Sequence, residues 1–171
     1  MHEISPAARI SPLADLEDSV RGSRLVIGPG VMVDSFVKIK FTGGLGDVVI
    51  GENSNVNSGC VLYSGNGIRI GRDVLIAANC VFAATNHEYA RRDVPIRLQR
   101  FKPSKGGIVV EDDVWIGAGC VLLDGAVVRR GAVVAANSVV RGEIGPYAIV
   151  AGSPAKPIGI RGAEAAGPLR Q

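Results

Sequence analysis

An all-β solenoid, a parallel β-helix closed by short bends, is the fold class this sequence predicts, and three observations predict it. Large apolar side chains recur every six residues through most of the chain, beginning with Ile27, Val33 and Ile39. Val and Ile number 23 and 15 against 10 Leu, a balance that favours extended backbone over helix. The chain also holds 23 Gly, which supplies frequent turns, and only 5% aromatic residues. A period of six matches neither the 3.6 of a helix nor the two of a simple amphipathic strand; it is one short strand plus one bend. Three such units close a coil of roughly eighteen residues, and coils stack about 4.8 Å apart so that their aliphatic residues fill a prism no single coil could bury.

The elements follow in order. Ile4, Ile10 and Leu16 make a faint first copy, expected as an N-terminal cap or partial coil over residues 1–20. The main helix is expected over 21–158, with rungs at Ile27, Val33 and Ile39, then Ile50, Val56 and Leu62, then Ile70, Ile76 and Phe82, and finally Val110, Ile116, Leu122, Val128, Val134 and Val140. Four places after a rung sits a small or β-branched residue, and Cys60, Cys80 and Cys120 all fall there, as small side chains for a tight interior rather than as reactive groups. Gly28, Gly51, Gly71 and Gly117 directly follow a rung and read as bends at positive φ. The phase breaks at FTGGLGD, at SGNG and, most extensively, between Phe82 and Val110, where a loop is expected over 84–107. Gly152, Pro154 and Pro157 end the helix, and residues 159–171 read as a short helix or a loose tail. The whole is a single domain of 171 residues.

Composition excludes several classes. A net charge of +3 is too small a surplus to nominate nucleic acid. The opening MHEISPAARI has neither the basic nor the apolar region of a secretory signal, and the longest apolar run, Trp115 to Leu123, is too short to span a bilayer, so a cytoplasmic protein without a membrane span is expected. Three cysteines without CxxC spacing suggest neither a disulfide framework nor a zinc knuckle.

Only His2 and His87 are available for base chemistry near neutral pH, and His87 stands at the root of the large loop. In the register of the repeat Phe82 and Asn86 take inward slots, which leaves His87 pointing outward, as does Trp115 five places after Val110. From Asn86 to Gly107 the loop carries Arg91, Arg92, Arg97, Arg100, Lys102 and Lys105 against Glu88 and Asp93, a charge that reads equally as a solvated face or as a seat for phosphates.

The segments VEDDVWIGAGCVLLDGAVV and VVAANSVVRGEIGPYAIVAGSPAKPI resemble the closing coils and the terminal AGxPAK signature of the hexapeptide-repeat acetyltransferases, in their sugar and xenobiotic branches, and the resemblance covers roughly residues 20 to 160. It implies a left-handed helix, an exception to the usual crossover rule, and an acetyl-CoA-dependent O-acetyltransferase that needs no metal. It implies His87 as general base toward an acceptor hydroxyl, with Glu88 or a backbone carbonyl setting the imidazole tautomer, and Asn57 and Asn86 as acceptor-binding residues. Acetyl-CoA would lie between subunits of a homotrimer against Trp115, Ala118, Ala136, Arg141 and Lys156, and a backbone amide of Gly117, Ala118 or Gly119 would receive the oxyanion. Arg141-Gly142-Glu143 stands where many relatives have Thr-Lys-Asp, a departure at a proposed cofactor contact. The acceptor implied is a hydroxyl of a sugar or polysaccharide precursor, with the amine of an amino-sugar nucleotide or a xenobiotic hydroxyl as alternatives. A non-catalytic scaffold would leave the Asn86-His87-Glu88 loop, Trp115 and the AGSPAK end without purpose, and two histidines cannot supply the three zinc ligands of a γ-class carbonic anhydrase.

Overall fold

The computed structural model describes residues 2–163 and is a left-handed parallel β-helix of triangular section. Its first face carries seven strands: His2–Ile4, Leu25–Ile27, Val48–Ile50, Ile68–Ile70, Ile108–Val110, Val127–Val128 and Glu143–Ile144. The second face runs from Arg9–Ile10 through Met32–Val33, Asn55–Val56, Leu75–Ile76, Trp115–Ile116 and Val133–Val134 to Ala148–Ala151. Asp15–Leu16, Lys38–Lys40, Val61–Tyr63, Val81–Ala83, Val121–Leu123 and Val139–Val140 make the third. Register is strict from coil to coil: Ile76 lies beside Val56 and Ile116, and Phe82 beside Leu62 and Leu122.

The six-residue rungs point inward and form the core. From Ile27 to Val140 each is at most 2% exposed, and the small residues four places on, Val114, Cys120, Ala126, Ala132 and Ser138 among them, line the corners. The three thiols repeat one bond: Cys60 Sγ donates to Ala77 O at 3.1 Å, Cys80 Sγ to Gly117 O at 3.2 Å and Cys120 Sγ to Ala135 O at 3.1 Å. All three are buried and tie one coil to the next; the neighbouring Cys80 together with burial holds the Cys120 thiol far above its ordinary range, whereas the bond with Cys80 draws the Cys60 thiol below it. Residues 2–16 form three strands paired in register to the next coil, although Ile4 is 37% exposed because the first coil has a neighbour on one side only.

Three expectations are corrected. The glycines directly after a rung do not adopt positive φ; that conformation falls two places later, at Gly30, Asn53, Asp73 and Gly119. Gly117 is required for a different reason: a Cβ there would stand 2.5 Å from the amide nitrogen of Ala136 in the next coil. Asn86 does not take an inward slot; it is exposed, and Ala84 is the buried residue that completes the corner. The segment read as a tail starts as structure: Lys156–Ile160 folds back antiparallel on Ala148–Ala151, and Arg161 pins it by donating to Asp113 Oδ2 at 2.9 Å. Residues 164–171 of that reading lie outside the described residues.

Coil edges are tied by carboxylates. Asp47 accepts the Arg24 amide at 2.7 Å, Asp112 the Arg72 amide at 2.8 Å, and Arg129 bridges Glu111 at 2.7 Å and Glu143 at 2.9 Å. Hydrogen bonds from those amides, and from Arg129, hold Asp47, Asp112 and Glu111 below the usual carboxylate range. Their contribution is therefore complete above the unfolded-state pKa values and is lost as pH falls through the depressed folded-state ones. Thermal melts across pH 6 to 3 are expected to show a melting temperature that is level at the upper end and declines below about pH 4. In the interior, Ile116→Ala removes a rung with coils on both sides and is expected to cost about 2–5 kcal/mol of stability in denaturant titration.

Candidate active site

The large loop leaves the corner between the third and first faces and begins as a two-stranded arm. Lys102 N–H donates to Asn86 O at 2.8 Å and Glu88 N–H to Arg100 O at 2.9 Å, which pairs His87 with Phe101 across the arm. Beyond the arm a single helical turn, Ile96–Gln99, follows Pro95. Gln99 holds the turn: its Nε2 donates to Arg91 O at 2.8 Å and Val94 O at 2.7 Å, and its Oε1 accepts from Arg91 N–H at 3.0 Å. The far end is closed by Asp124, whose two oxygens accept the amides of Gly107 and Lys105, each at 2.9 Å.

His87 is exposed and its ring lies against that of Phe101, with centroids 4.7 Å apart and planes inclined at 36°. Among the hydrogen bonds of the described residues none engages its imidazole; the only bond of this residue to a side chain is from its backbone N–H to Asn86 Oδ1, at 2.9 Å. Glu88 does not reach the imidazole. Its Oε1 accepts the amides of Tyr89 at 2.8 Å and Ala90 at 3.0 Å, and these bonds keep its pKa below the usual range. The carboxylate is turned back on the loop, so the expectation that it sets the tautomer is not met in the chain.

At the root of the loop a cleft of about 610 Å3 lies between the arm and the third face, lined by Asn86, Lys102, Lys105, Asp124 and Arg141 among others. Lys102, Lys105 and Arg141 outnumber Asp124, whose oxygens are already engaged by backbone amides, and make the cleft electropositive, a seat for anionic groups. The structure thus brings Asn86 and Arg141 together in one cleft, while the His87 ring, one residue on from Asn86, lies against Phe101 and is not part of the cleft lining.

The remaining sequence-derived positions sit elsewhere. Trp115 is 51% exposed on the second face, flanked in the outward ladder by Leu75 and Val133. Ala118 and Ala136 are exposed and stacked at the corner between the second and third faces, where Asn137 N–H donates to Ala118 O at 2.8 Å. Of the three amides considered for an oxyanion, Gly117 donates to Val134 O at 2.8 Å and Gly119 to Ala78 O at 3.0 Å, while Ala118 N–H makes no such bond among the described residues. Asn57 donates to Ile76 O at 2.6 Å and lines a groove on the second face of the early coils with Asp34 and Asn55. Lys156 lies exposed in the returning strand opposite Ala151. One chain therefore carries two groups of positions on different edges of the prism. Phe101, Gln99 and Asp124 were not found by sequence reasoning, since contacts made across and at the end of an aperiodic loop leave no periodic signal, whereas Lys102 and Lys105 were legible in the basic run of the loop.

Comparison with known proteins agrees with this architecture. The family descriptions "Bacterial transferase hexapeptide (six repeats)" and "Hexapeptide repeat of succinyl-transferase" match residues 107–142 and 47–83. A putative lipopolysaccharide biosynthesis O-acetyl transferase, WbbJ, of Escherichia coli K12 is 32% identical over 140 residues, 79% of this chain and 68% of that protein. A hexapeptide-repeat-containing acetyltransferase from Vibrio cholerae, solved with acetyl coenzyme A, superposes with a TM-score of 0.69 at 31% identity over 78% of this chain and 69% of that one. AntD, an N-acyltransferase from Bacillus cereus solved with dTDP-4-amino-4,6-dideoxyglucose and coenzyme A, has the same fold, with a TM-score of 0.79 at 23% identity over 95% and 85% of the two chains. The chain belongs to the hexapeptide-repeat acetyltransferases, a class of acyl-CoA-dependent acyltransferases. Among the described residues no group of three His, Cys, Asp or Glu is placed to hold a metal ion.

Gln99→Ala removes three bonds that fold the loop on itself. Limited proteolysis is expected to cut within 91–105 severalfold faster than in the parent, with the melting temperature of the β-helix little changed.

Proposed function

We propose that this protein transfers the acetyl group of acetyl-CoA to a hydroxyl of a sugar or polysaccharide precursor, with His87 as general base. The observation that carries the reading is an exposed imidazole without a hydrogen-bonded partner among the described residues, at the root of the loop and next in sequence to Asn86, which lines the electropositive cleft. In the proposed step the imidazole takes the acceptor proton as the acceptor oxygen attacks the thioester carbonyl carbon. The C–S bond then breaks, and the thiolate of CoA regains the proton from the imidazolium. The Ala118 amide is the donor open to the transient oxyanion.

The homotrimer is part of the proposal. His87, Asn86 and Arg141 occupy one edge of the prism, whereas Trp115, Ala118, Ala136 and Asn57 occupy the second face and its far corner; packing one edge against a neighbour's second face unites them. Acetyl-CoA would lie in that seam, its thin pantetheine arm passing Ala118 and Ala136, with Arg141 and Lys156 available to its phosphates. The O-acetyl transferase from E. coli supports a saccharide hydroxyl as acceptor. AntD, held with a nucleotide-linked amino sugar, favours a second reading in which the electropositive cleft receives a nucleotide diphosphate and the acceptor is an amine. The cytoplasm is the compartment proposed, in keeping with three buried unpaired thiols.

Thiol release from acetyl-CoA against a panel of sugars and amino-sugar nucleotides tests both readings. His87→Ala is expected to lower kcat by about 100-fold or more while leaving acetyl-CoA binding within twofold by calorimetry. Retention of most activity removes His87 as the base. Light scattering of the active protein is expected to give three times the chain mass, and an active monomer overturns the seam.

A further inference from the structure

We propose that Phe101 is the positioning residue for His87, fixing the plane of the imidazole in place of the carboxylate that the sequence pointed to. The inference rests on His87 being the base. The two bonds of the arm, from Lys102 N–H to Asn86 O and from Glu88 N–H to Arg100 O, flank His87 and Phe101 on either side, the arrangement that defines a non-hydrogen-bonded antiparallel pair. In such a pair the Cα atoms approach to about 4.5 Å and both side chains rise from the same side of the ribbon. The rings meet accordingly, 4.7 Å between centroids with a 36° tilt.

What else faces the imidazole leaves Phe101 as its support. The Glu88 carboxylate is spent on Tyr89 and Ala90, Asn86 Oδ1 on the His87 backbone amide, and Lys102 Nζ sits over the Tyr89 ring at 3.8 Å. An exposed histidine swings freely about χ1 and χ2 unless something stops it. The phenyl ring is that stop, and an apolar one: it restricts the imidazole without occupying either nitrogen, so one remains free to take a proton and the other to meet a group from the substrate or a neighbouring subunit. Phe101 is itself 43% exposed, a large apolar ring at a loop root whose one ring partner among the described residues is the histidine.

The test compares Phe101→Leu, Phe101→Tyr and His87→Ala in the intact protein. Phe101→Leu keeps apolar bulk but removes the plane, and is expected to lower kcat about tenfold or more with the KM for acetyl-CoA within twofold, since misplacement of a reacting group acts on the chemical step. Phe101→Tyr keeps the ring and is expected to restore kcat to within about threefold of the parent. NMR of the imidazole protons, simplified by there being only His2 and His87, is expected to show ring-current displacement of the His87 signals in the parent and in Phe101→Tyr, and its loss in Phe101→Leu. If His87→Ala is inactive while Phe101→Leu keeps the parental kcat, or loses activity through KM alone, the positioning role is overturned. If Phe101→Leu unfolds the arm, unshifted His87 signals in the parent overturn the proposal and shifted ones, with activity retained in Phe101→Tyr, support it. Activity surviving in His87→Ala overturns the base reading instead, whatever the Phe101 variants do.

Discussion

Coil-on-coil register is the constraint from which the rest of the molecule follows. Each rung is buried by rungs in the coils above and below, so a residue's depth and direction are set by its place in a six-residue period rather than by its local neighbours. Chain geometry enforces the register from outside as well: where coils approach most closely only glycine fits, as at Gly117 under Ala136, and where the backbone must reverse, residues at positive φ recur, with Gly119 and Asn137 stacked in adjacent coils. A slip of one residue in any strand would turn rungs out and charges in.

A scaffold so regular presents nearly the same surface from coil to coil, apart from the groove beside the first coils. The period fails most extensively between Phe82 and Val110, and the loop there is anchored at several points. Its root is an antiparallel arm, its turn is held by Gln99, and its return is fixed by Asp124 accepting two amides. Loop and prism together make the electropositive cleft, because Lys102 and Lys105 from the loop and Arg141 from the prism outnumber the one acid in its wall. His87 thus sits on a hydrogen-bonded arm, exposed, with no bond to its ring nitrogens among the described residues.

Legibility differed between fold and site for a physical reason. Every rung from Ile27 to Val140 was readable because burial in a solenoid repeats, and repetition is visible in one dimension. His87 was readable from scarcity, as the one histidine outside the N-terminal segment. Asn86 was misplaced inward because the six-residue phase was carried two residues too far into the loop, past Ala84. Glu88 was chosen for adjacency, but a carboxylate next to a histidine in sequence lies beside two amides of its own turn, and those bonds are closer than any reach to the imidazole.

The sequence by itself determined the solenoid, its phase, its breaks and the single histidine at the major break, because these depend on periodic burial and on composition. Tertiary structure decided what stands around that histidine: the pairing with Phe101, the closure by Asp124, the return of Lys156–Ile160 along the last coil, and the separation of the candidate residues onto two edges. Those features depend on where an aperiodic loop closes and on which edge of a prism each corner falls, and neither distance along the chain nor residue type encodes them.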